Sequence, residues 1–331
     1  MRTGCPSLLY MIFVNKLVYV FALSLILCSC NSKKEKNKEQ KSAAQDSSVL
    51  KVALMPTLDC LPFYYAERCG LFEEIGVDVQ LITFNAQLSC DTAFERGKAD
   101  IAYTDLVRAL LLQNKGINLK VFMRTDGRHE LLTAKSKRIN SIKQLNEHLI
   151  SIARHSVTDL LLDTIIAQAG IDPFSIYHPQ INDIVLRYDM LRNATNDAAF
   201  LPEPYATQAR LNGDRSIYDS GKQNIFLMAF MINEAVLNDR GGEKQAKLLI
   251  KGYNQAVEQI NKNVNHDVVR DLLMSWGIDQ QTIDSLSFPA FSRAQAVSCK
   301  DMEIAANFIR SRALVDAAFN VESVLDSTLI H

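Results

Sequence analysis

Between residues 49 and 125, short apolar runs alternate with amphipathic runs whose apolar positions recur every three or four residues. The apolar, β-branched runs predict strands at 49–56, 77–84, 99–104 and 119–125. The periodic runs between them predict helices at 62–76, 90–98 and 105–116. Because the connections are short and the alternation is regular, this half of the chain predicts a parallel sheet with helices on both faces.

The alternation resumes at residue 141. It predicts helices at 141–149, 156–170 and 203–213, and strands at 150–154, 183–188, 198–202 and 225–232. Beyond residue 232 the chain is mostly helical, and one face of a long helix carries a stripe of core residues: Ala246, Leu249, Tyr253, Ala256 and Ile260. The two series therefore predict an α/β protein with two lobes, each a mostly parallel sheet flanked by helices, and a helical C-terminal tail.

We expect lobe 1 to comprise residues 49–133 and 225–331, and lobe 2 to comprise residues 134–224. In open α/β sheets a ligand binds beyond the carboxyl ends of the strands, so two lobes predict a site in the cleft between them. The candidate ligand-binding residues follow the predicted strands: Thr57, Asp59, Cys60, Phe63, Gln87, Asp91, Tyr103, Thr104, Asp105, Arg124, Arg154, His155, Ser156, Thr158, Glu203 and Tyr205.

Several of these candidates also have a purely structural interpretation. Asp105 and Ser156 suit helix N-caps, and Tyr103 and Phe63 suit the core. Arg154 and Glu203 could form a salt bridge between loops, and His155 could be a surface histidine.

The first thirty residues have the layout of a secretory signal. Lys16 precedes an apolar run, 17–27, that is short for a membrane span. The ending Leu-Cys-Ser-Cys resembles the lipidation site of a bacterial lipoprotein, which implies removal of residues 1–29 and acylation of Cys30. The alternative is an N-terminal anchor helix that is never cut. Met11 is a second possible start.

Residues 31–48 are polar and contain no apolar residue larger than alanine. Such a segment buries too little surface to order itself. We therefore expect residues 30–48 to be a flexible tether between a lipid anchor and the globular part.

The net charge and the absence of catalytic motifs argue against several classes of function. The formal net charge of the 331 residues is −1, which argues against a nucleic-acid partner. No phosphate loop, G-x-S-x-G or H-E-x-x-H motif is present, so the sequence predicts no enzyme, no cofactor and no metal site. Beyond the signal no apolar stretch is long enough to cross a membrane, and the sequence predicts a water-soluble globule.

Four segments resemble the periplasmic binding proteins of ABC importers for nitrate, taurine, sulfonates and thiamine pyrimidine precursors. These segments are 56–81, 94–106, 141–172 and 201–206. The first contains the pattern P-x-x-x-A-x-x-x-G-x-F-x-x-x-G-x-x-V. The resemblance covers about residues 49 to 314. One departure is residues 150–156, ISIARHS, which lack the family's glycine.

The resemblance implies a type II periplasmic binding protein fold that closes on a small-molecule solute. It implies an ABC permease and ATPase as partners, attachment to a bacterial membrane through the lipid anchor on the periplasmic side, and a monomer. Two classes of function are alternatives to a solute-binding protein: an enzyme on the same scaffold, and a lipoprotein that binds a protein partner.

The charges among the candidates favour one class of solute. Four carboxylates outnumber two arginines: Asp59, Asp91, Asp105 and Glu203 against Arg124 and Arg154. Because carboxylates accept hydrogen bonds from amino and ring N–H groups, we expect a small nitrogenous or aromatic nutrient, with a thiamine-type pyrimidine favoured. An oxyanion such as a sulfonate, taurine or nitrate is the alternative.

Two cysteines occupy equivalent positions in adjacent strand-to-helix loops, in Asp59-Cys60 and Cys90-Asp91. Because thiols outside the cytoplasm can pair, we expect a Cys60–Cys90 disulfide at the rim of the cleft. The alternatives are two buried free thiols or a metal site that includes His155 or His129.

Overall fold

The computed structural model describes residues 49–239, 241–316 and 318–330. The predicted signal, the lipidation site Cys30 and the predicted tether at 31–48 lie outside these residues. Within the described residues, no helix combines the length and the apolar character that a membrane span requires.

The first sheet has the strand order β2-β1-β3-β9-β4. Its strands are β1 (Leu50–Leu54), β2 (Val79–Thr83), β3 (Ile101–Asp105), β4 (Leu119–Arg124) and β9 (Met228–Asn233). β1 runs parallel to β2 and β3, whereas β9 runs antiparallel to β3 and β4. The helices that connect its parallel part are α1 (Leu61–Arg68), α2 (Leu71–Glu74), α3 (Gln87–Glu95) and α4 (Leu106–Asn114).

The second sheet has the order β6-β7-β5-β8. Its strands are β5 (His129–Thr133), β6 (Ile150–Ser151), β7 (Ala198–Pro202) and β8 (Arg215–Asp219). β5 runs antiparallel to β7 and β8, and only β6 and β7 are parallel, so this sheet is not mostly parallel as expected. The helices of this lobe are α5 (Val157–Ala169), α6 (Ile184–Arg192) and α7 (Tyr205–Leu211). The chain crosses between the two sheets at 125–128 and returns at 220–227, so two connections join the lobes.

The C-terminal part packs on the first sheet and its helices. It consists of α8 (Glu234–Asn238), α9 (Gly242–Asn261), α10 (His266–Ser275), α11 (Gln280–Ser285) and α12 (Cys299–Ser311). α9 lies against α1, and α12 lies against α4. The predicted stripe of α9 faces the core: Ala246, Leu249, Tyr253 and Ala256 are buried, and Ile260 is half-buried. Short 3₁₀ turns complete the chain at Leu58–Cys60, Lys135–Lys137, Ile142–Gln144, Pro173–Ser175, Ser220–Gln223 and Glu322–Val324.

The boundary between the predicted lobes is misplaced by one strand. Residues 129–133, which the prediction assigned to lobe 1, form β5 and pair with β7 and β8 of the second sheet. The edge strand β8 has no counterpart among the predicted strands, because its sequence RSIYD mixes polar and apolar residues, none of them fully buried, and gives no strong apolar pattern.

Two predicted elements are wrong. Residues 183–188 form the start of α6 and not a strand, because the Asp183 carboxylate accepts from the Leu186 N–H and caps a helix. Residues 141–149 form only the short turn Ile142–Gln144, and Glu147 has a φ of 62°. This left-handed backbone is incompatible with a continuous right-handed helix.

We expect the aromatic cluster around Phe63 to stabilise lobe 1. Its ring centroid lies 4.6 Å from that of Phe230 on β9 and 5.0 Å from that of Tyr253 on α9. Phe63→Ala should lower the free energy of unfolding in urea by about 3–5 kcal/mol. Phe174→Ala, at a side chain that is 93% exposed, should change it by less than about 0.5 kcal/mol. Equal losses in the two variants would contradict this assignment of the core.

Candidate functional site

The two sheets face each other across a cleft, and a pocket lies in it next to the crossing connections. We call it the inner pocket, and its volume, with the part open to solvent included, is ≈ 390 Å³. Residues of both lobes line it: Met55, Thr57, Gln87, Leu88, Tyr103, Arg108, His129, Ala153, Ser156, Thr158, Asn182, Ile184, Arg187, Pro202 and Met228.

Five of the sequence candidates meet at this pocket. They are Thr57, Gln87, Tyr103, Ser156 and Thr158. They lie at or shortly beyond the carboxyl ends of β1, β2, β3 and β6, with Tyr103 inside β3, so the carboxyl ends of strands in both sheets converge here as expected for open α/β sheets.

Arg187 on α6 places a positive charge beside the pocket, and the sequence analysis missed it. Its Nη1 donates to the Phe200 carbonyl at 2.9 Å, and Nε and Nη2 donate to the Ile181 carbonyl at 3.0 and 2.8 Å. These bonds use three of the five guanidinium N–H groups. No carboxylate among the described residues forms an ion pair with Arg187. Burial, together with the charge of Arg108, lowers the pKa of Arg187 to about 10, so the side chain is a cation at neutral pH.

Thr57 adds a second unused hydrogen-bonding group. The residue is 1% exposed, and its Oγ1 has no hydrogen-bond partner of good geometry among the described residues. A buried hydroxyl without a partner is unfavourable by about 1–3 kcal/mol. A hydroxyl that lines a pocket is instead available to a bound molecule.

Arg108, in the first turn of α4, is the second missed cation. It forms an ion pair with Asp91 on α3, with Nη1 and Oδ2 3.2 Å apart, and its Nε lies 3.7 Å from Asp105 Oδ2. Its Nη2 donates to the backbone carbonyl of Arg154 in lobe 2 at 3.3 Å. The Thr104 hydroxyl donates to the other Asp91 oxygen at 2.9 Å. Arg108 therefore ties two carboxylates of lobe 1 to a loop of lobe 2.

Asp105 and Ser156 are helix caps, as their structural interpretation proposed. The Asp105 carboxylate accepts from the Arg108 N–H at 3.0 Å and from Gln87 Nε2 at 2.7 Å. The Ser156 hydroxyl accepts from the Thr158 N–H at 3.2 Å. Ser156 lines the inner pocket besides, so its capping role and its place in the cleft coincide.

Burial shifts the pKa values of the ionisable side chains around Arg108 and the inner pocket. It raises the pKa of Asp91 to about 7, against the opposing charge of Arg108. It also raises the pKa of Asp105. Burial and the nearby Arg187 lower the pKa of His129 to about 3, which makes this imidazole neutral.

Two predicted acids lie outside the inner pocket. Asp59 and Glu203 line a separate cavity beside the crossing connection. The Thr125 hydroxyl donates to Asp59 at 2.7 Å. Glu203 accepts from the Thr207 N–H and hydroxyl, both at 3.0 Å, and pairs with Arg210. The proposed salt bridge between Arg154 and Glu203 is therefore wrong.

The other candidates are distributed over the core and the cleft rim. Phe63, Cys60, Thr104 and Tyr205 are buried and do not line the inner pocket. Arg124 lies over the ring of Phe226, 3.7 Å from its centroid, and donates to Gln295. Three candidates line a larger space at the mouth of the cleft, which we call the outer chamber: Asp91, Arg154 and His155.

The predicted disulfide is not formed. The thiols of Cys60 and Cys90 are free and buried. The Cys90 thiol donates to the Leu54 carbonyl at 3.6 Å. Burial raises the pKa of both thiols well above the ordinary value, so they are protonated core residues. The predicted metal alternative also lacks a site within the described residues, where no group of three or more His, Cys, Asp and Glu side chains could hold an ion.

Residues 57–200 match the family described as NMT1/THI5 like. The match extends from the loop after β1 to β7. No curated protein sequence matches the chain.

Solved structures confirm a two-lobed periplasmic binding protein fold. The alkanesulfonate-binding protein SsuA from Xanthomonas axonopodis pv. citri, bound to MOPS, is 15% identical with a TM-score of 0.74, covering 85% of this chain and 99% of that chain. The periplasmic nitrate-binding protein NrtA from Synechocystis PCC 6803 is 12% identical with a TM-score of 0.72, covering 86% and 87%. The desulfurization enzyme DSZB is 11% identical with a TM-score of 0.61, covering 86% and 97%.

The raised pKa of Asp91 predicts a pH dependence of stability. A folded-state pKa above the unfolded value means that the folded state holds the proton more tightly. The associated stabilisation is complete below the ordinary pKa of 3.8 and is lost as the pH rises through about 7. In urea unfolding across this pH window, the wild type should lose stability relative to Asp91→Asn, which cannot ionise.

Asp163→Asn is the control for this measurement, because Asp163 is a partly exposed carboxylate that pairs with Arg312 on the protein surface. The wild type should not lose stability relative to Asp163→Asn as the pH rises towards 7. A constant difference between Asp91→Asn and the wild type would contradict the raised pKa.

Proposed function

We propose that the chain is the extracytoplasmic solute-binding component of an ABC importer, and that it closes its two lobes on a small molecule in the inner pocket. The observation that carries this proposal is that unused hydrogen-bond donors from the two lobes border the same cavity. The Thr57 hydroxyl of lobe 1 and the free N–H groups of Arg187 in lobe 2 border one cavity. The match of residues 57–200 to the NMT1/THI5 like family and the likeness to sulfonate- and nitrate-binding proteins support it.

The charges of the cleft favour an acceptor-rich or anionic solute. The argument for a thiamine-type pyrimidine rested on four carboxylates, but Asp91 and Asp105 are engaged by Arg108, while Asp59 and Glu203 lie in another cavity. What remains at the inner pocket is a set of donors, and donors with a positive charge suit sulfonate, carboxylate or nitrate oxygens.

A thiamine-type pyrimidine is the second candidate. The inner pocket contains the Tyr103 ring, a neutral His129 and the apolar side chains of Met55 and Met228. Such walls suit a flat neutral ring whose nitrogen atoms accept hydrogen bonds from Thr57.

The remaining parts of the proposal follow from this role. An ABC permease and its ATPase are the partners, a lipid on Cys30 attaches the protein to the membrane outside the cytoplasm, and the protein acts as a monomer. We also propose that no reaction occurs in the cleft. The likeness to a desulfurization enzyme makes an enzyme the alternative, but the buried thiols of Cys60 and Cys90, with their raised pKa values, are poor nucleophiles.

A thermal-shift screen of sulfonates, carboxylates, nitrate and pyrimidines tests this function. A binding protein should be stabilised by one class of solute and should release it unchanged. A solute recovered in altered form would favour the enzyme. Stabilisation by no solute, together with a stable complex with a protein partner, would favour the partner-binding alternative.

Thr57→Val provides a sharp test of the inner pocket. Because the Thr57 hydroxyl has no hydrogen-bond partner in the part of the chain that the structure describes, its replacement by a methyl group should leave the melting temperature unchanged or raise it. The Kd of the solute found in the screen should increase by about tenfold, which corresponds to one lost hydrogen bond to a bound group. Calorimetric titration measures this change.

Thr164→Val is the matched control. The Thr164 hydroxyl donates to the Leu160 carbonyl within α5 at 2.8 Å and lies away from the cleft lining. This variant should bind the solute with the wild-type Kd. A Thr57→Val variant that binds as tightly as the wild type would show that the solute sits elsewhere.

A further inference from the structure

The outer chamber lies next to the inner pocket. This space has a volume of ≈ 1080 Å³ with its open mouth included. Leu88 and Arg108 border both spaces, so the two spaces are direct neighbours in the cleft. Both lobes line it: Leu88, Asp91, Thr92, Glu95, Arg108, Leu111, Leu112, Asn114, Lys115, Arg154, His155, Gln180 and Leu314.

Three basic side chains on opposite sides of the chamber have no partner in the described protein. Lys115 lies at the end of α4 in lobe 1, and Arg154 and His155 lie in the loop before α5 in lobe 2. None of their side chains forms a hydrogen bond or an ion pair with a described residue. Of the two acids in the lining, Asp91 is held by Arg108, and Glu95 is the remaining negative charge. The chamber therefore has a positive balance.

The loop that carries Arg154 and His155 has a fixed backbone. The Ala153 N–H donates to Thr158 Oγ1 at 2.9 Å, and the His155 N–H donates to the Asp159 carboxylate at 2.8 Å. His155 has a φ of 53°, a conformation that is unfavourable for a residue with a side chain and that persists only where its surroundings impose it. These contacts hold both basic side chains at the chamber.

We propose that the outer chamber binds a negatively charged group of phosphate, sulfonate or carboxylate chemistry, held between Lys115 of lobe 1 and Arg154 of lobe 2. The inference rests on the proposed function, because the group is then the far end of the solute whose acceptor-rich end occupies the inner pocket. It names a class of solute that is elongated, with an anionic tail. Lobe closure brings the two cations together, so the tail also favours the closed form.

Inorganic phosphate tests the chamber whichever solute the inner pocket takes. Phosphate is titrated at constant ionic strength while the ring proton signals of His155, assigned with His155→Gln, are followed by NMR. These signals should shift in the wild type with a Kd of about 1 mM, as befits an isolated anionic fragment. In Lys115→Ala/Arg154→Ala the affinity should fall at least about tenfold, because both charge-assisted contacts are removed.

The matched control is Arg68→Ala/Lys251→Ala, which removes the same charge from exposed positions away from the chamber. It should bind phosphate as the wild type does. No shift in the wild type, or equal weakening in the two double variants, would overturn the proposal. Phosphate binding at the chamber in a protein that no solute stabilises would support the chamber and count against the proposed function, so the two failures are distinguishable.

Discussion

A buried guanidinium between the lobes is the constraint on which the cleft depends. Arg108 is 7% exposed, and burying a cation without partners costs several kcal/mol. Its contacts with Asp91, Asp105 and the Arg154 carbonyl offset this cost only when the loops of both lobes are in place. The same contacts remove two carboxylates from the cleft. The position of the Arg154 loop and the charge of the site both follow from this cluster.

The charge that remains beside the inner pocket comes from Arg187. Its guanidinium is held by backbone carbonyls, which satisfy hydrogen bonds but do not neutralise the positive charge. A buried cation without a carboxylate partner is unfavourable on its own, and an anionic or acceptor-rich solute relieves that cost. The buried Thr57 hydroxyl on the opposite lobe has no hydrogen-bond partner among the described residues, and a bound solute would relieve that cost in the same way. Affinity and lobe closure would thus arise from the same groups.

The sequence predicts the first sheet well, because its buried strands and capped helices carry strong local signals. It also predicts Thr57, Gln87, Tyr103, Ser156 and Thr158 as neighbours, since each lies at or just beyond the carboxyl end of a predicted strand. It missed Arg108 and Arg187 because each lies within a helix, where an arginine ordinarily faces solvent. A signal for Arg108 was present: Asp105 precedes it by three residues, a spacing that brings side chains together on a helix. The pairing of Asp91 with Arg108 could not be predicted, because it is a tertiary contact between two helices.

The central claim is that a small solute binds between the lobes, and native mass spectrometry of the tether-free protein tests it most directly. The protein is measured as purified and again after mild unfolding. The account predicts a retained small mass, rich in acceptor atoms or negatively charged, that is released on unfolding. A protein that carries no small molecule, and that gains none when incubated with sulfonates, carboxylates, nitrate or pyrimidines, would contradict it.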